Sequence, residues 1–363
     1  MTIIASKKDM ISSMAIIIFS IISAGIHGLI SIALLISISQ LDFGRDSVQK
    51  HGVSSGASRL GGIAIFFSLT IGLIFNYYLS NNSSLENISY YFDQILLFSL
   101  LIGLIGLVED FIQNISSVLR LSLIVVIVAM SIAIMNDMLP YELELFNQFE
   151  GLIKTILVYL FTIVMISGFI NAGNIADGAN GLLSLVYLVF FLVLYSINPS
   201  IFYSSMIISL AIFFVYNVTT GRIFLGDFGA YFLSAIVAYS SLKIYAEYDV
   251  SVFLLAAILI YPCFEVTRTL VIRFFTKVSL ISPDNNHLHN YVYDYLLSVG
   301  FNSHKSNSLT GLILGSLTST LPLYLFISGV KPNDKIWLSL FICEFLFLCL
   351  IYLILNKINL KKI

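Results

Sequence analysis

Long apolar runs separated by short polar connections dominate this chain and constrain its fold more than any other feature. Hydrophobic residues make up 58% of the 363 residues, charged residues make up 10%, and the mean hydropathy is +0.97. An ordinary soluble domain carries roughly a quarter charged residues. So little charge cannot cover the surface of a soluble protein of this length. The chain is therefore predicted to lie in a membrane.

The apolar runs also predict the number of transmembrane helices. A helix needs about 20 apolar residues to cross the hydrocarbon core. By this criterion about eleven segments qualify, at residues 10–39, 60–79, 95–108, 118–135, 152–170, 182–197, 201–218, 228–245, 252–271, 309–330 and 336–355. The first run exceeds the apolar core of a signal peptide, about 7–15 residues, so we interpret it as a helix. The predicted fold is an all-α polytopic membrane protein with a single domain, residues 1–363.

Charge and cysteine content argue against two classes of function. The formal net charge is −2, and no block of Lys and Arg forms a stripe that could follow a phosphate backbone. Nucleic acid is therefore not an expected partner. The three cysteines, Cys263, Cys343 and Cys349, lie in apolar runs without a partner at CxxC spacing. They predict neither a disulfide framework nor a zinc site.

The distribution of basic residues predicts the orientation of the helices. When the connections are assigned alternately to two sides, twelve Lys and Arg residues fall on one side and six on the other. The positive-inside rule makes the richer side cytoplasmic, which places the N-terminus outside and the C-terminus in the cytoplasm. Lys7 and Lys8 run against the rule.

Five polar segments share the predicted cytoplasmic side. They are residues 50–62, 109–120, 171–182, 221–229 and 283–290. Connections without a common role would not be expected to collect their polar residues on one side. We therefore expect these segments to form one site at the membrane surface.

The second segment contains two adjacent carboxylates, Glu109 and Asp110, where an apolar helix ends. Such a pair can bind a divalent cation, or position a phosphate nucleophile through one. A solvated acidic helix end is the alternative.

The third and fourth segments combine amides, carboxylates and glycines. Asn171, Asn174 and Asp177 are three residues apart, which places them on one face of a helical turn. There they can bind a sugar, a base or a metal-bound phosphate, whereas a helix cap with a turn is the alternative. Asp227 lies between two glycines at the start of a predicted helix, where it can bind Mg²⁺ or cap the helix.

The fifth segment carries a histidine pair, His287 and His289, near several basic residues. Histidines in basic surroundings suit the oxygens of a pyrophosphate. A His-x-His pair can also bind zinc. The lack of a nearby Cys argues against the zinc interpretation.

These segments resemble the polyprenyl-phosphate N-acetylhexosamine-1-phosphate transferases of glycosyltransferase family 4. That family contains phospho-N-acetylmuramoyl-pentapeptide translocase and the enzymes that initiate O-antigen, common-antigen and teichoic-acid linkage synthesis. The resemblance covers nearly the full chain. Its motifs are His51 with Arg59-Leu60-Gly61-Gly62, the acidic pair followed by Arg120, the stretch from Asn171 to Leu182, Phe224-x-Gly-Asp-x-Gly, and Asp284-x-x-His-x-His.

The resemblance implies a phosphoryl transfer at the cytoplasmic face of the inner (plasma) membrane. The phosphate of undecaprenyl phosphate, or of another polyprenyl phosphate, attacks the β-phosphorus of a UDP-N-acetylhexosamine and releases UMP. The product, a polyprenyl-diphosphate-sugar, begins a cell-envelope polysaccharide such as the O-antigen. The implied cofactor is Mg²⁺, or alternatively Mn²⁺.

The resemblance also implies roles for individual residues. Glu109 and Asp110 are the implied catalytic pair, which positions or deprotonates the lipid phosphate, and Asp227 is the implied metal ligand. Phe224 offers a face on which uracil can stack. The implied substrate-binding residues are Asn171, Asn174, Asp177, Asn180, Phe224, His287 and His289.

Several positions depart from the family pattern. Glu109 stands in place of Asp, Gln113 in place of a third Asp, Asn180 in place of Asp and Asn290 in place of a further His. The chain also lacks three consecutive histidines, which favours the branch that uses simple UDP-N-acetylhexosamines. A transporter and a catalytically inactive family member are the alternatives. The transporter is disfavoured because carriers place coupling residues near the bilayer midplane. The sequence leaves the sugar, the polymer and homodimer formation open.

Overall fold

The computed structural model describes residues 25–41, 57–80, 86–112, 115–140, 143–277 and 286–360. Within these ranges the chain is helical and contains no β-strand. One isolated parallel bridge pairs Ser58 with Ile223. The predicted all-α fold is confirmed for these residues.

Thirteen α-helices make up the described part of the chain. They are α1 Gly25–Ser39, α2 Gly61–Ser80, α3 Glu86–Ile112, α4 Ser117–Ile134, α5 Gly151–Ala176, α6 Leu182–Ile197, α7 Ile201–Thr220, α8 Gly226–Glu247, α9 Val252–Ile258, α10 Ile260–Thr276, α11 Leu288–Val299, α12 Ser303–Ile327 and α13 Ile336–Leu360. Two short 3₁₀ turns, Asn136–Met138 and Glu144–Phe146, lie between α4 and α5.

Six of the described helices are long and apolar enough to cross a membrane: α3, α4, α5, α7, α12 and α13. A seventh span results if α9 and α10 are counted as one bent helix, and α1, α2 and α6 have shorter apolar stretches. The protein is thus a multi-pass membrane protein. The count of eleven and the orientation of the termini stay predictions, and residues 10–24 of the first predicted helix lie outside the described residues.

Helix α8 is the central helix of the bundle and is buried along most of its length. It packs mainly against α3, α5 and α2. Glycines let two of these neighbours approach the start of α8 at backbone distance. A Cβ atom at Gly106 of α3 would lie 2.3 Å from the carbonyl oxygen of Asp227, and one at Gly62 of α2 would lie 2.1 Å from the Cα of Gly229. The first turn of α8 is therefore clamped between α2 and α3.

The predicted span 252–271 is wrong in one respect, because the structure breaks it. Helix α9 ends at Ile258, and α10 starts at Ile260 at an angle of 85°. Pro262 explains the break, since its ring would clash with the carbonyl of Ile258 four residues earlier and it has no N–H to donate. The bend directs α10 toward α11, a helix of 12 residues that the search for long apolar runs did not predict.

Candidate active site

A polar cavity of about 280 Å³ lies where the first four of the five predicted polar segments meet. It is formed by the residues before α2, the end of α3, the connections α5–α6 and α7–α8, and parts of α7 and α12. Its polar or aromatic lining residues are Arg59, Asp110, Asn174, Asp177, Asn180, Ser184, Phe213, Asn217, Phe224, Asp227 and Asn307. Six predicted site residues are among them. The other four, Glu109, Asn171, His287 and His289, do not line this cavity.

Asp110 holds the first turn of α8. Its Oδ1 accepts a hydrogen bond of 3.0 Å from the amide of Asp227, and its Oδ2 accepts one of 3.0 Å from the amide of Phe228. Amides in the first turn of a helix have no acceptor within that helix, and a negative charge is favourable at this end. Asp110 is only 3% exposed. Both of its oxygens are engaged, so it fixes the backbone of Asp227.

Gly226 makes this close junction possible. Its φ angle is +70°, and a Cβ atom there would lie 2.0 Å from the carbonyl oxygen of Arg59 and 2.9 Å from Oδ2 of Asp110. A side chain at this position would be strained and would also collide with backbone. The glycine before Asp227 thus lets α8 begin directly against Asp110.

The carboxylate of Asp227 faces the cavity with one oxygen fixed. Its Oδ1 accepts a 2.9 Å hydrogen bond from Nδ2 of Asn174. Its Oδ2 lies 4.0 Å from Nη1 of Arg120, and the side chain is 31% exposed. Asn174 therefore sets the orientation of the Asp227 carboxylate, and Oδ2 is left on the accessible side.

Glu109 and Arg120 form an incompletely satisfied pair beside Asp227. Nη1 of Arg120 lies 3.5 Å from Oε1 of Glu109, so the guanidinium sits between two carboxylates. Within the described structure, Oε2 of Glu109 and Nε of Arg120 are buried and have no hydrogen-bond partner. A buried acceptor and a buried donor without partners suit a bound ion or phosphate.

Asp177 follows α5 directly and has a strongly perturbed acidity. Burial, and to a smaller extent the negative charges of Asp227 and Asp110, together raise its pKa from 3.8 to about 8. Neighbouring carboxylates make such a carboxyl group hard to ionise. A bound cation has the opposite effect, because it stabilises the charged form. Asp177 and Asp227 thus share one electrostatic environment.

An amide network joins the two loops that carry these carboxylates. Oδ1 of Asn307 accepts a 2.6 Å bond from the amide of Asn180. Oδ1 of Asn217 accepts a 2.6 Å bond from the amide of Gly181, and its Nδ2 donates to the carbonyl of Ile223 at 2.6 Å. Sequence reasoning missed Asn217 and Asn307. A single amide near the end of an apolar helix was the one available signal.

Two predicted donor-binding residues have different positions in the structure. Phe224 lines the cavity, and its backbone pairs with Ser58 and Gly61 through two bonds of 2.8 Å. Asn171 does not reach the cavity, because its Nδ2 donates to the carbonyl of Ser167 within α5 at 2.8 Å.

The histidine pair lies next to the cavity and is not part of its lining. The rings of His287 and His289 are stacked, with centroids 5.3 Å apart. A Cβ atom at Gly178 would lie 1.9 Å from Nε2 of His289, so this ring touches the loop that carries Asp177. Two other predicted motif residues, His51 and Asp284, lie outside the described residues.

The residues around Asp227 fit a hard divalent cation. Mg²⁺ is usually bound by one or two carboxylates together with phosphate oxygens of the substrate. In the part of the chain that the structure describes, no three His, Cys, Asp or Glu side chains are grouped closely enough to hold a metal by themselves. Asp177 and Asp227 match the two-carboxylate case, and the neighbouring unpartnered Oε2 of Glu109 is a further oxygen. All of these donors are oxygens, as Mg²⁺ and Mn²⁺ prefer.

Comparison with known proteins agrees with this geometry. Residues 93–245, which contain Glu109, Asp110, Asp177 and Asp227, match glycosyl transferase family 4. The matched stretch, residues 93–245, is called the family 4 region below. This family 4 region ends before the histidine pair and before Asn307.

Named relatives extend the similarity beyond the family 4 region. A probable undecaprenyl-phosphate N-acetylglucosaminyl 1-phosphate transferase of Bacillus subtilis is 26% identical over 297 residues, which is 78% of this chain and 76% of that protein. A phospho-N-acetylmuramoyl-pentapeptide-transferase of Streptococcus agalactiae is 29% identical over 56% of this chain and 64% of its own length. The corresponding protein of Fervidobacterium nodosum is 30% identical over 52% of this chain and 59% of its own length. The resemblance stated from the motifs is confirmed.

Proposed function

We propose that the protein transfers N-acetylhexosamine-1-phosphate from a UDP-sugar to undecaprenyl phosphate or another polyprenyl phosphate. The observation that carries this proposal is the cavity where Asp177 and Asp227, from two loops of the family 4 region, meet amide side chains. The Bacillus subtilis relative, which aligns with most of the chain, is named for a transfer of this kind. The products are a polyprenyl-diphosphate-sugar and UMP.

The reaction forms one bond and breaks one bond. An oxygen of the lipid phosphate attacks the β-phosphorus of the donor. The bond between that phosphorus and the oxygen that links it to the α-phosphorus breaks. UMP leaves with the electron pair. Little covalent chemistry is needed from the protein, so catalysis consists of positioning and charge stabilisation.

Asp227 and Asp177 would hold Mg²⁺, or Mn²⁺, together with oxygens of the donor phosphates. When bound, the cation supplies positive charge that offsets the repulsion between the two phosphates. Asn174 orients Asp227, and Asp110 fixes its backbone. Arg120 adds a second positive charge at this place. Glu109, whose Oε2 has no partner in the described structure, is the member of the predicted catalytic pair that is left to position or deprotonate the lipid phosphate.

The rest of the cavity suits the nucleotide part of the donor. Phe224 offers an aromatic face for the base, and Asn180 stays the predicted amide contact of the donor. Asn217 holds the neighbouring loops, because both its Oδ1 and its Nδ2 are engaged within the protein. Asn171 is not included, because its amide is engaged within α5. The histidine pair, which touches Gly178, is placed to meet the diphosphate.

The cellular setting follows from the charge distribution of the sequence. The excess of Lys and Arg on the side of the motif segments supports a cavity that opens to the cytoplasm, where UDP-sugars are made available. We place the protein in the inner (plasma) membrane, with the N-terminus outside and the C-terminus inside. The lipid-linked product would initiate a cell-envelope polysaccharide.

The test is a reconstituted assay with the purified protein. Undecaprenyl phosphate, Mg²⁺ and each of several UDP-N-acetylhexosamines are combined, and UMP is measured. We expect UMP release that requires both the lipid phosphate and the cation. Release without the lipid would indicate hydrolysis, and binding of a donor without any release would indicate the inactive family member. Either result would refute the proposed transfer.

A further inference from the structure

Helix α10 carries a polar stripe that none of the predicted site residues explains. Tyr261, Glu265 and Arg268 are spaced at i, i+4 and i+7, which places them on one face of the helix. Glu265 is 0% exposed. A buried ionisable residue in a membrane-spanning helix is expensive, and such residues generally have a functional reason.

The carboxylate of Glu265 joins α10 to the beginning of α11. Its Oε1 accepts a 2.7 Å hydrogen bond from the amide of Leu288, the first residue of α11. Its Oε2 lies 3.1 Å from Nη2 of Arg268 and 3.0 Å from Nδ1 of His287. Arg268 offsets the buried negative charge and is itself placed over the ring of Tyr352 at 4.8 Å. Glu265 thus anchors both the helix start and the histidine before it.

This contact determines which nitrogen of His287 carries a proton. Nδ1 lies 3.0 Å from Oε2 of Glu265 and also 3.0 Å from Nη2 of Arg268. A guanidinium can only donate, whereas a carboxylate accepts. A proton on Nδ1 donated to Glu265 is the arrangement that uses the carboxylate, and it fixes the orientation of the ring. In the doubly protonated ring, Nε2–H is the donor that is left for an anion.

His289 is held in the same way by the preceding turn of α10. The hydroxyl of Tyr261 lies 3.1 Å from Nδ1 of His289. The two imidazole rings are nearly parallel, at 16°. Because both Nδ1 atoms are held by α10, the Nε2 edges are turned away from α10, and that of His289 meets Gly178 beside Asp177.

We propose that Glu265 and Tyr261 are positioning residues that aim His287 and His289 at the diphosphate of the donor. The inference rests on the proposed function, because the diphosphate belongs to the UDP-sugar. It assigns a role to residues of α10, outside the family 4 region. Glu265 touches neither donor nor cation. It acts through the orientation and the proton of His287.

The test compares the binding of UDP with that of UMP, because UMP lacks the β-phosphate. Affinities of the purified protein for both nucleotides are measured by calorimetry in the presence of Mg²⁺. For Glu265→Gln, we expect the preference for UDP over UMP to fall about tenfold, the lower end of the roughly 10–100-fold loss that follows removal of the partner of a metal-ligating histidine. Glu265→Gln combined with His287→Ala should be no worse than the poorer single variant, since both remove one interaction.

A second variant and a matched control keep the test decisive. Tyr261→Phe removes only the hydroxyl and should reduce the preference for UDP over UMP by a smaller factor. This variant tests the inference even if Glu265→Gln does not fold. Glu344→Gln is the control, because Glu344 is a buried carboxylate of α13 without a hydrogen-bond partner in the described structure. It should leave the preference unchanged.

The outcomes separate this inference from the proposed function. If the parent protein does not release UMP in the reconstituted assay, the proposed function fails. If the parent is active and Glu265→Gln weakens UDP and UMP equally, Glu265 is only structural and the positioning role is overturned. An equal effect of Glu344→Gln would also overturn it, because any buried carboxylate would then serve.

Discussion

Replacing Asp110 by Asn should cost the protein both stability and activity. Asn keeps the size of the side chain, but only its Oδ1 can accept and its Nδ2 can only donate, so one of the two backbone amides at the start of α8 loses its acceptor. A hydrogen bond from a backbone amide to a charged group contributes about 1.5–3 kcal/mol. We expect a loss of stability of about this size. Release of the first turn would also displace Asp227, and a displacement of about 1 Å can lower a rate by roughly 10²-fold.

The assay combines UMP release with thermal unfolding in detergent. Unfolding can be followed with a thiol-reactive fluorophore, because Cys263 and Cys349 are half-buried in the folded protein. Asp227→Asn is the comparison, since it should lose activity at parental stability. If Asp110→Asn lost activity but unfolded at the parental temperature, the cap would be irrelevant to stability. Asp110 would then have the chemical role that the sequence predicted.

Three further predictions concern the carboxylates around the cavity. Asp227→Asn should purify normally, release UMP on the order of 10²–10³ times more slowly and require a higher Mg²⁺ concentration. If its UMP release depended on Mg²⁺ in the same way as that of the parent, the metal assignment would be contradicted. Glu109→Asp should keep or raise UMP release while Glu109→Gln lowers it, and equal activity of Glu109→Gln and the parent would rule out a role for this carboxylate. Asp177 retains its proton in the folded protein up to about pH 8, whereas the unfolded chain loses it near pH 4. The stability that this proton contributes is therefore lost as the pH rises toward 8. Without Mg²⁺ the unfolding temperature of the parent should fall as the pH rises from about 4 to about 8. In Asp177→Asn this decrease should be smaller. If the decrease were the same in both proteins, Asp177 would not be the titrating group.

The sequence predicted the positions that meet in the cavity better than the tasks they perform. Asp177 and Asp227 stand out because each is next to a glycine at the border of an apolar run. The task of Asp110 could not be read in the same way, since its partners are backbone amides 117 and 118 residues further along the chain. A sequence motif is a pattern of side chains, so it does not show which backbone groups a side chain contacts.

Two features of the fold were hidden for different physical reasons. Pro262 was visible inside the predicted span 252–271, and the break before it follows from ordinary proline stereochemistry. Helix α11 could not be predicted from apolar runs, because it is short and amphipathic, with apolar residues mainly on one face. Asn217 and Asn307 were missed because a lone amide at the end of a helix has no pattern around it.

The clamped first turn of α8 has a consequence for how the protein is assembled during synthesis. Helix α8 is not among the six described helices that qualify as spans by their own hydropathy, and it is buried on nearly all sides. Its insertion therefore depends on α2, α3 and α5, which leave the ribosome earlier and offer it a polar acceptor in Asp110. A nascent chain that ends before α8 would leave both oxygens of Asp110 without these two backbone donors. The packing of α3 and the completion of the cavity are thus one event, because both depend on the first turn of α8.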